Sequence, residues 1–270
     1  GKKKENTAPP VPTTPFTKEL IENYAGAPCE KATDLKLPGL NINEITNSLS
    51  LCLNLRSLDL SFNEIKTITF LDKLVQLRQI KLYCNNIQYI AGLTNQQKLE
   101  SLYLNDNKIS EICGLKLLPK LKTLEIARNS IPAIKNLDTL KSLQNLDLSW
   151  NKIPKIQGLQ ELDKLEELHL AHNLISKVEN LQFNKKLTEV NLEYNNISSG
   201  HSFKLRNLRY LHLGHNKIKR FATFITANMP RLMELHMSHN EIEDVSMIHK
   251  SFPMLDTLNI SFNKIKSMKG

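Results

Sequence analysis

From residue 55 onward the apolar positions return in one arrangement. Leu stands first, an aliphatic residue fourth and sixth, an asparagine ninth and Ile eleventh, as in LRSLDLSFNEI, LESLYLNDNKI, LQNLDLSWNKI and LEELHLAHNLI. The asparagines of the ten copies are Asn63, Asn85, Asn107, Asn129, Asn151, Asn173, Asn195, Asn216, Asn240 and Asn263, spaced by 22 residues six times and then by 21, 24 and 23. A period of this size marks a stacked repeat, in which each coil buries its apolar side chains only against its neighbours. Within a copy the L-x-L pair sends alternate side chains of a short strand inward and leaves the residues between them facing out. The asparagine carries both donor and acceptor groups, so it can satisfy the backbone of the turn that follows. Beyond it, Ile and Leu recur about every third residue, as in NEIKTITFLDKLVQL, which predicts a tight 3₁₀-like or short helical return on the convex side. The longer unit KIKRFATFITANMPRL, 217–232, has room for a longer helix.

The pattern changes ahead of the repeats. Residues 1–16 combine a lysine run with four prolines and few apolar side chains, which predicts a disordered, basic, Pro-rich tail. Residues 17–54 are expected to cap the stack. Thr17 can cap a short helix on which Leu20, Ile21 and Tyr24 share one side, and Leu35, Leu37 and Ile42 fit a degenerate first strand with Leu40 in place of the asparagine. The repeat domain then covers 55–270. Its last copy leaves Leu255, Leu258, Ile260 and Ile265 on an open end, so the native chain is expected to continue beyond 270, or a partner to cover that end.

In these residues the chain resembles the leucine-rich repeats. Within that family it is similar to the 22-residue class that includes the repeat regulatory subunit of type 1 protein phosphatase and many ciliary proteins. The resemblance covers residues 34–270 and implies an α/β fold, a right-handed horseshoe-shaped solenoid with a concave parallel sheet. The helix and degenerate strand ahead of the repeats look like the amino-terminal cap of intracellular members, a spliceosomal leucine-rich protein among them.

The outward positions carry the candidate chemistry. Four residues before each asparagine lies a central row, Asp59, Lys81, Tyr103, Glu125, Asp147, His169, Asn191, His212, His236 and Asn259. With the flanking rows, which add Tyr83, Glu167, Glu189, Glu193, Tyr210 and Glu234, this face holds seven carboxylates against one lysine, although the whole chain has a formal net charge of +9. Phosphate binding needs clustered Lys and Arg, so direct nucleic-acid binding on the concave face is not expected. A protein partner with a basic or mixed surface suits it, unless the charges are simply solvated. Immediately before each asparagine runs a second row, in which Trp150, His172, Tyr194, His215, His239 and Phe262 are six successive rings. Rigid rings are enriched in interface hot spots, which marks this row as a contact stripe; packing along the solenoid edge is the other reading.

Six of the ten positions from Asp147 to His239 on these two rows are histidines, in the strings HLAHN, HLGHN and HMSHN. Within a string the two imidazoles fall on separate rows. Only His212 with His236, and His215 with His239, can meet across neighbouring strands, giving two ligands at most, so no metal and no cofactor are expected. Stacked imidazoles beside Glu193 and Glu234 could still make a contact pH-sensitive. The common nucleophile, metal and phosphate-loop motifs are missing, so no catalytic residue is assigned and the chain is expected not to be an enzyme.

No run of about 18 apolar residues predicts a membrane span, and the first 30 residues lack the apolar core of a secretory signal. The four cysteines, Cys29, Cys52, Cys84 and Cys113, stand singly, unlike those of disulfide-closed extracellular repeat domains. An intracellular, cytoplasmic location follows as an expectation. The resemblance implies a non-catalytic scaffold or adaptor in a ciliary, axonemal or cytoskeletal assembly. Its alternatives are a regulatory subunit of type 1 protein phosphatase, where Tyr103, Glu125, Asp147 and Trp150 are similar in kind to enzyme-gripping residues, and a spliceosomal component.

Overall fold

A computed structural model describes residues 12–200, 205–220, 229–245 and 252–266. Helix α1 (Lys18–Ala25) begins at Thr17, whose hydroxyl oxygen accepts the Leu20 N–H at 3.1 Å, and ends at Gly26 in the left-handed conformation. Phe16 and Ile21, on either side of this cap, are both buried, the arrangement of a hydrophobic staple. That staple shortens the tail expected over 1–16. The Thr14 N–H donates to the Asn41 carbonyl and the Thr46 hydroxyl to the Phe16 carbonyl, so the last residues of the stretch belong to the cap; residues 1–11 lie outside the description. Composition hid this because one buried ring is enough to dock a polar segment. Tyr24, expected beside Leu20 and Ile21 on the packed side of α1, is 51% exposed.

The strands follow in chain order: β1 (Asp34–Lys36), β2 (Ser57–Asp59), β3 (Gln79–Lys81), β4 (Ser101–Tyr103), β5 (Thr123–Glu125), β6 (Asn145–Asp147), β7 (Glu167–His169), β8 (Lys177–Val178), β9 (Glu189–Asn191), β10 (Ser199–Gly200), β11 (Tyr210–His212), β12 (Glu234–His236) and β13 (Thr257–Asn259). Eleven of them form one sheet in the order β1-β2-β3-β4-β5-β6-β7-β9-β11-β12-β13, and β8 and β10 pair separately. All pairs are parallel and in register, so equivalent residues of successive repeats stand opposite one another. In each strand of the large sheet from β2 to β12 the middle aliphatic residue is buried and its neighbours are half-exposed, as the L-x-L alternation predicts. At β13 the equivalent Leu258 is 37% exposed, against 2% for Leu235 in the strand before it.

The asparagine ladder has the predicted role. The Asn151 amide nitrogen donates to the Ile126, Leu148 and Ser149 carbonyls at 3.0, 3.1 and 3.2 Å, and its oxygen accepts the Ile131 N–H at 2.9 Å. One side chain thus joins its own turn to the preceding coil, and the same bonds recur at Asn63 and Asn263 near the two ends.

The return segments use 3₁₀-type bonds in two separate turns, such as Leu74 N–H to Leu71 and Leu77 N–H to Leu74 at 2.8 and 3.2 Å, not in a continuous helix. A 22-residue coil must recross the core in few residues, and α-helix, at about 1.5 Å per residue, covers too little distance. The longer helix expected in 217–232 falls largely on 221–228, outside the described residues. The return also contains a left-handed position that the motif does not announce: Phe70, Gly92, Gly114, Asn136, Gly158 and Asn180, with φ between 59° and 70°. At Gly92, Gly114 and Gly158 a Cβ would lie 2.7, 2.2 and 2.7 Å from the carbonyl oxygens of Ile68, Ile90 and Ile134. Asn136 and Asn180 instead donate to the equivalent carbonyls of Ile112 and Ile156 at 2.7 and 2.8 Å.

Candidate functional site

The residue before each motif asparagine reverses the chain at the end of its strand and takes a left-handed conformation in all ten copies, with φ between 52° and 57°. None of the ten is glycine. Their side chains project from the strand ends, and register places them one above another. From Trp150 to Phe262 they form a continuous stack: Trp150–His172, His172–Tyr194, Tyr194–His215, His215–His239 and His239–Phe262 have centroid separations of 3.6, 4.1, 3.9, 4.1 and 4.2 Å and interplanar angles of 9–13°. These spacings are below the ~4.8 Å between strands, so the rings lean together. The Arg128 guanidinium extends the column, 4.4 Å from the Trp150 ring centroid, and itself pairs with Asp106 at 3.8 Å. The stripe is therefore both solvent-accessible and self-packed: stacking occupies the faces of the inner rings, while Trp150, Tyr194 and Phe262 remain 44, 43 and 74% exposed.

The sheet rows are less uniform. Tyr103, Glu125, Asp147, His169, Asn191, His212 and His236 stand in consecutive register, all half-exposed. Lys81 lies 5.8 Å from the Tyr103 ring centroid. Some acids are partly used internally: Glu125 accepts from the Asn105 amide at 2.8 Å, Glu167 from the Asn145 amide, and Asp147 from the Ser149 N–H at 2.8 Å. Tyr83 does not join the column. It meets Phe62 edge-to-face at 5.2 Å near the amino-terminal end. His169 sits between Asp147 and Asn191 in the sheet and is not part of the ring column.

Both expected histidine meetings occur, His215–His239 stacked and His212–His236 edge-to-face at 4.9 Å. The limit of two ligands fails at the second pair, because Glu193 brings a carboxylate to it: one donor atom each from Glu193, His212 and His236 lie within 4.8 Å of one another. A consensus alignment places Glu193 on a different row from the histidines and gives no sign that its side chain crosses to them. Burial lowers the pKa of His212, and the His236 charge adds to that effect. His172 is shifted the same way by burial and then by Arg128, and His215 by burial and then by His239. At all three residues the surroundings favour the uncharged imidazole.

Elsewhere the acids serve the surface. Glu100 bridges Arg78 and Lys122 across three coils at 2.9 and 2.7 Å, and the Lys122 hydrogen bond leads in lowering its pKa. All four cysteines are free thiols, and burial raises the Cys52 pKa to about 12. Among the described residues no helix is long and apolar enough to cross a membrane.

A parallel sheet with one strand per coil, an asparagine ladder and turn-rich returns defines a repeat solenoid. The leucine-rich repeat family model matches residues 97–153, 163–218, 185–242 and 206–265, and a two-copy leucine-rich repeat model matches 53–95; the chain belongs to the leucine-rich repeat family. In solved structures it is similar to a leucine-rich repeat protein of Leptospira interrogans, with a TM-score of 0.80 at 21% identity over 93% of this chain and 70% of that one. An internalin C2 of Listeria monocytogenes gives 0.68 at 25% identity, over 74% of this chain and 93% of that chain. Fibromodulin of Sus scrofa is 33% identical over 63 residues, 23% of this chain. The match spans 43% of that fibromodulin and 42% of the one from Oryctolagus cuniculus, less than half the length of these curated relatives. Domains of this family are generally non-catalytic and bind protein partners.

Proposed function

We propose that this chain is a non-catalytic scaffold that holds a protein partner along the ring column and the acidic sheet rows beside it. The observation that carries the reading is the unbroken stack from Trp150 to Phe262. Each ring is held by its neighbours before any partner arrives, so docking orders few side chains and loses little entropy. Because ring faces are occupied, the partner meets ring edges, where indole, imidazole and phenol groups offer hydrogen bonds. Glu125, Asp147, Glu167, Glu189 and Glu193 lie beside this edge and favour a basic or mixed partner surface. Affinity purification with Trp150→Ala/Tyr194→Ala beside the wild type tests the reading. Loss of the principal partner by at least about ten-fold, with circular dichroism showing the variant still folded despite a lowered thermal midpoint, is expected of hot-spot rings. Equal capture by both proteins removes the column from the interface.

A ciliary or cytoskeletal assembly is the setting we propose, resting on the sequence resemblance alone. A fluorescently tagged full-length protein found away from both structures would remove the setting and leave the binding surface standing. A second reading, regulation of a type 1 phosphatase, is supported by one feature: Tyr103, Glu125 and Asp147 are register partners on β4, β5 and β6, and Trp150 follows at the end of β6. Co-purification of the phosphatase catalytic subunit, lost on charge reversal of Glu125 and Asp147, supports it; a partner set without that enzyme rejects it.

A further inference from the structure

Register sets His212 directly against His236 on neighbouring strands, and Glu193, four residues beyond Glu189 on the preceding coil, extends across to them. Its path depends on Gly214. A Cβ at that position would lie 2.9 Å from the Glu193 Oε1 and 3.3 Å from the Ser238 Oγ, so the carboxylate occupies space that a side chain would fill. The Glu193 N–H is meanwhile held by the Asn191 side-chain oxygen at 3.1 Å. On the other side, the His236 Nε2 lies 2.7 Å from a Glu234 carboxylate oxygen. Carboxylates placed around ligating imidazoles are the usual outer support of a metal site. Glu189 and Glu234 flank Tyr210 in the register, which adds negative charge beside the cluster.

We propose that Glu193, His212 and His236 form a binding site for one divalent first-row transition ion, zinc by its donor set. Two imidazoles and a carboxylate supply borderline nitrogen and hard oxygen ligands, a set that holds zinc while leaving a further position for water or a partner's side chain. Zinc bonds of about 2.0–2.1 Å place tetrahedral donors about 3.4 Å apart, so donors now within 4.8 Å of one another close by at most about 1.4 Å. All three are half-exposed and have room to do so. The inference does not depend on the proposed protein partner.

The test is zinc titration of the purified, tag-free chain by calorimetry, with competition against a chromophoric chelator and thermal denaturation with and without zinc. One equivalent is expected to bind at micromolar or tighter affinity and to raise the thermal midpoint. His212→Ala, His236→Ala and Glu193→Gln should each weaken binding about ten-fold or more, and Gly214→Ala should weaken it by displacing Glu193. Cys113→Ser, which removes a free thiol outside the cluster, should leave it unchanged. Far-UV circular dichroism establishes that each variant is folded. Binding no tighter than millimolar, or binding that survives His212→Ala and His236→Ala in folded protein, overturns the site. So does binding that disappears with Cys113→Ser.

Discussion

Two rows of this solenoid adopt left-handed backbone, one in all ten copies and one in six successive returns, and they are filled in opposite ways. On the return, the row runs Phe70, Gly92, Gly114, Asn136, Gly158 and Asn180, dominated by the two residue types that tolerate positive φ. At the strand ends it runs from Phe62 to Phe262 without a glycine, and six successive members are rings. The difference lies in what each Cβ meets. On the return a Cβ at Gly92, Gly114 or Gly158 would run into a carbonyl of the previous coil, and Asn136 and Asn180 donate to the equivalent carbonyls; only Phe70, at the start of the row, is neither glycine nor amide. At the strand ends side chains are free to project outward and meet their counterparts. The backbone there carries a local strain of about 1–2 kcal/mol at each residue, and ring contacts worth about 0.5–1.5 kcal/mol each offset much of it. Rings are therefore not a requirement of the turn. Cys84, Asp106 and Arg128 make the same turn without them.

The largest effect should come from breaking the return row. Gly114→Ala drives a Cβ into the Ile90 carbonyl and is expected to lose about 2–4 kcal/mol in urea denaturation; a loss below about 0.5 kcal/mol would mean that the neighbouring coil yields freely. The strand-end row should respond differently. Tyr194→Ala removes two stacked contacts and keeps the strain, for a loss of about 1–2.5 kcal/mol, whereas Tyr194→Gly relieves the strain and should be more stable than the alanine variant by about 1 kcal/mol. Equal stabilities would dissolve the contrast between the two rows.

The smallest effect is on pH. The folded-state pKa values of His172 and His215 lie below the free value of 6.5, so between the two values the unfolded chain binds more protons than the folded one. Stability is then complete above that free value and declines as pH falls through it. The groups acting on His172 are Arg128, Glu193 and His215, and on His215 they are His239 and Glu193. Thermal midpoints between about pH 7.5 and about pH 5.5 should fall on acidification, and His172→Phe/His215→Phe, which keeps the stack, should fall less. A double variant as pH-sensitive as the wild type would place the titration elsewhere.

Much of this was legible in the chain. The Thr17 cap follows from local helix chemistry, while the asparagines, the L-x-L pairs and the alignment of Trp150, His172, Tyr194, His215, His239 and Phe262 follow from the repeat alone, because a constant period in parallel register converts sequence spacing into spatial neighbourhood. The docking of Phe16 and the exposure of Tyr24 did not follow, since a terminal coil lacks a second neighbour to constrain it. The left-handed return row was also hidden, because Phe, Gly and Asn share no consensus there.

By itself the sequence determined which residues face inward, which face outward and which stand opposite one another, since those relations depend only on the two-residue alternation of a strand and the length of a coil. Only the tertiary structure decided how the outward side chains use their freedom. It tilted six rings into one column, turned Tyr83 toward Phe62, and carried Glu193 over Gly214 to His212 and His236. Such contacts depend on side-chain rotation across neighbouring coils, and a one-dimensional pattern does not encode it.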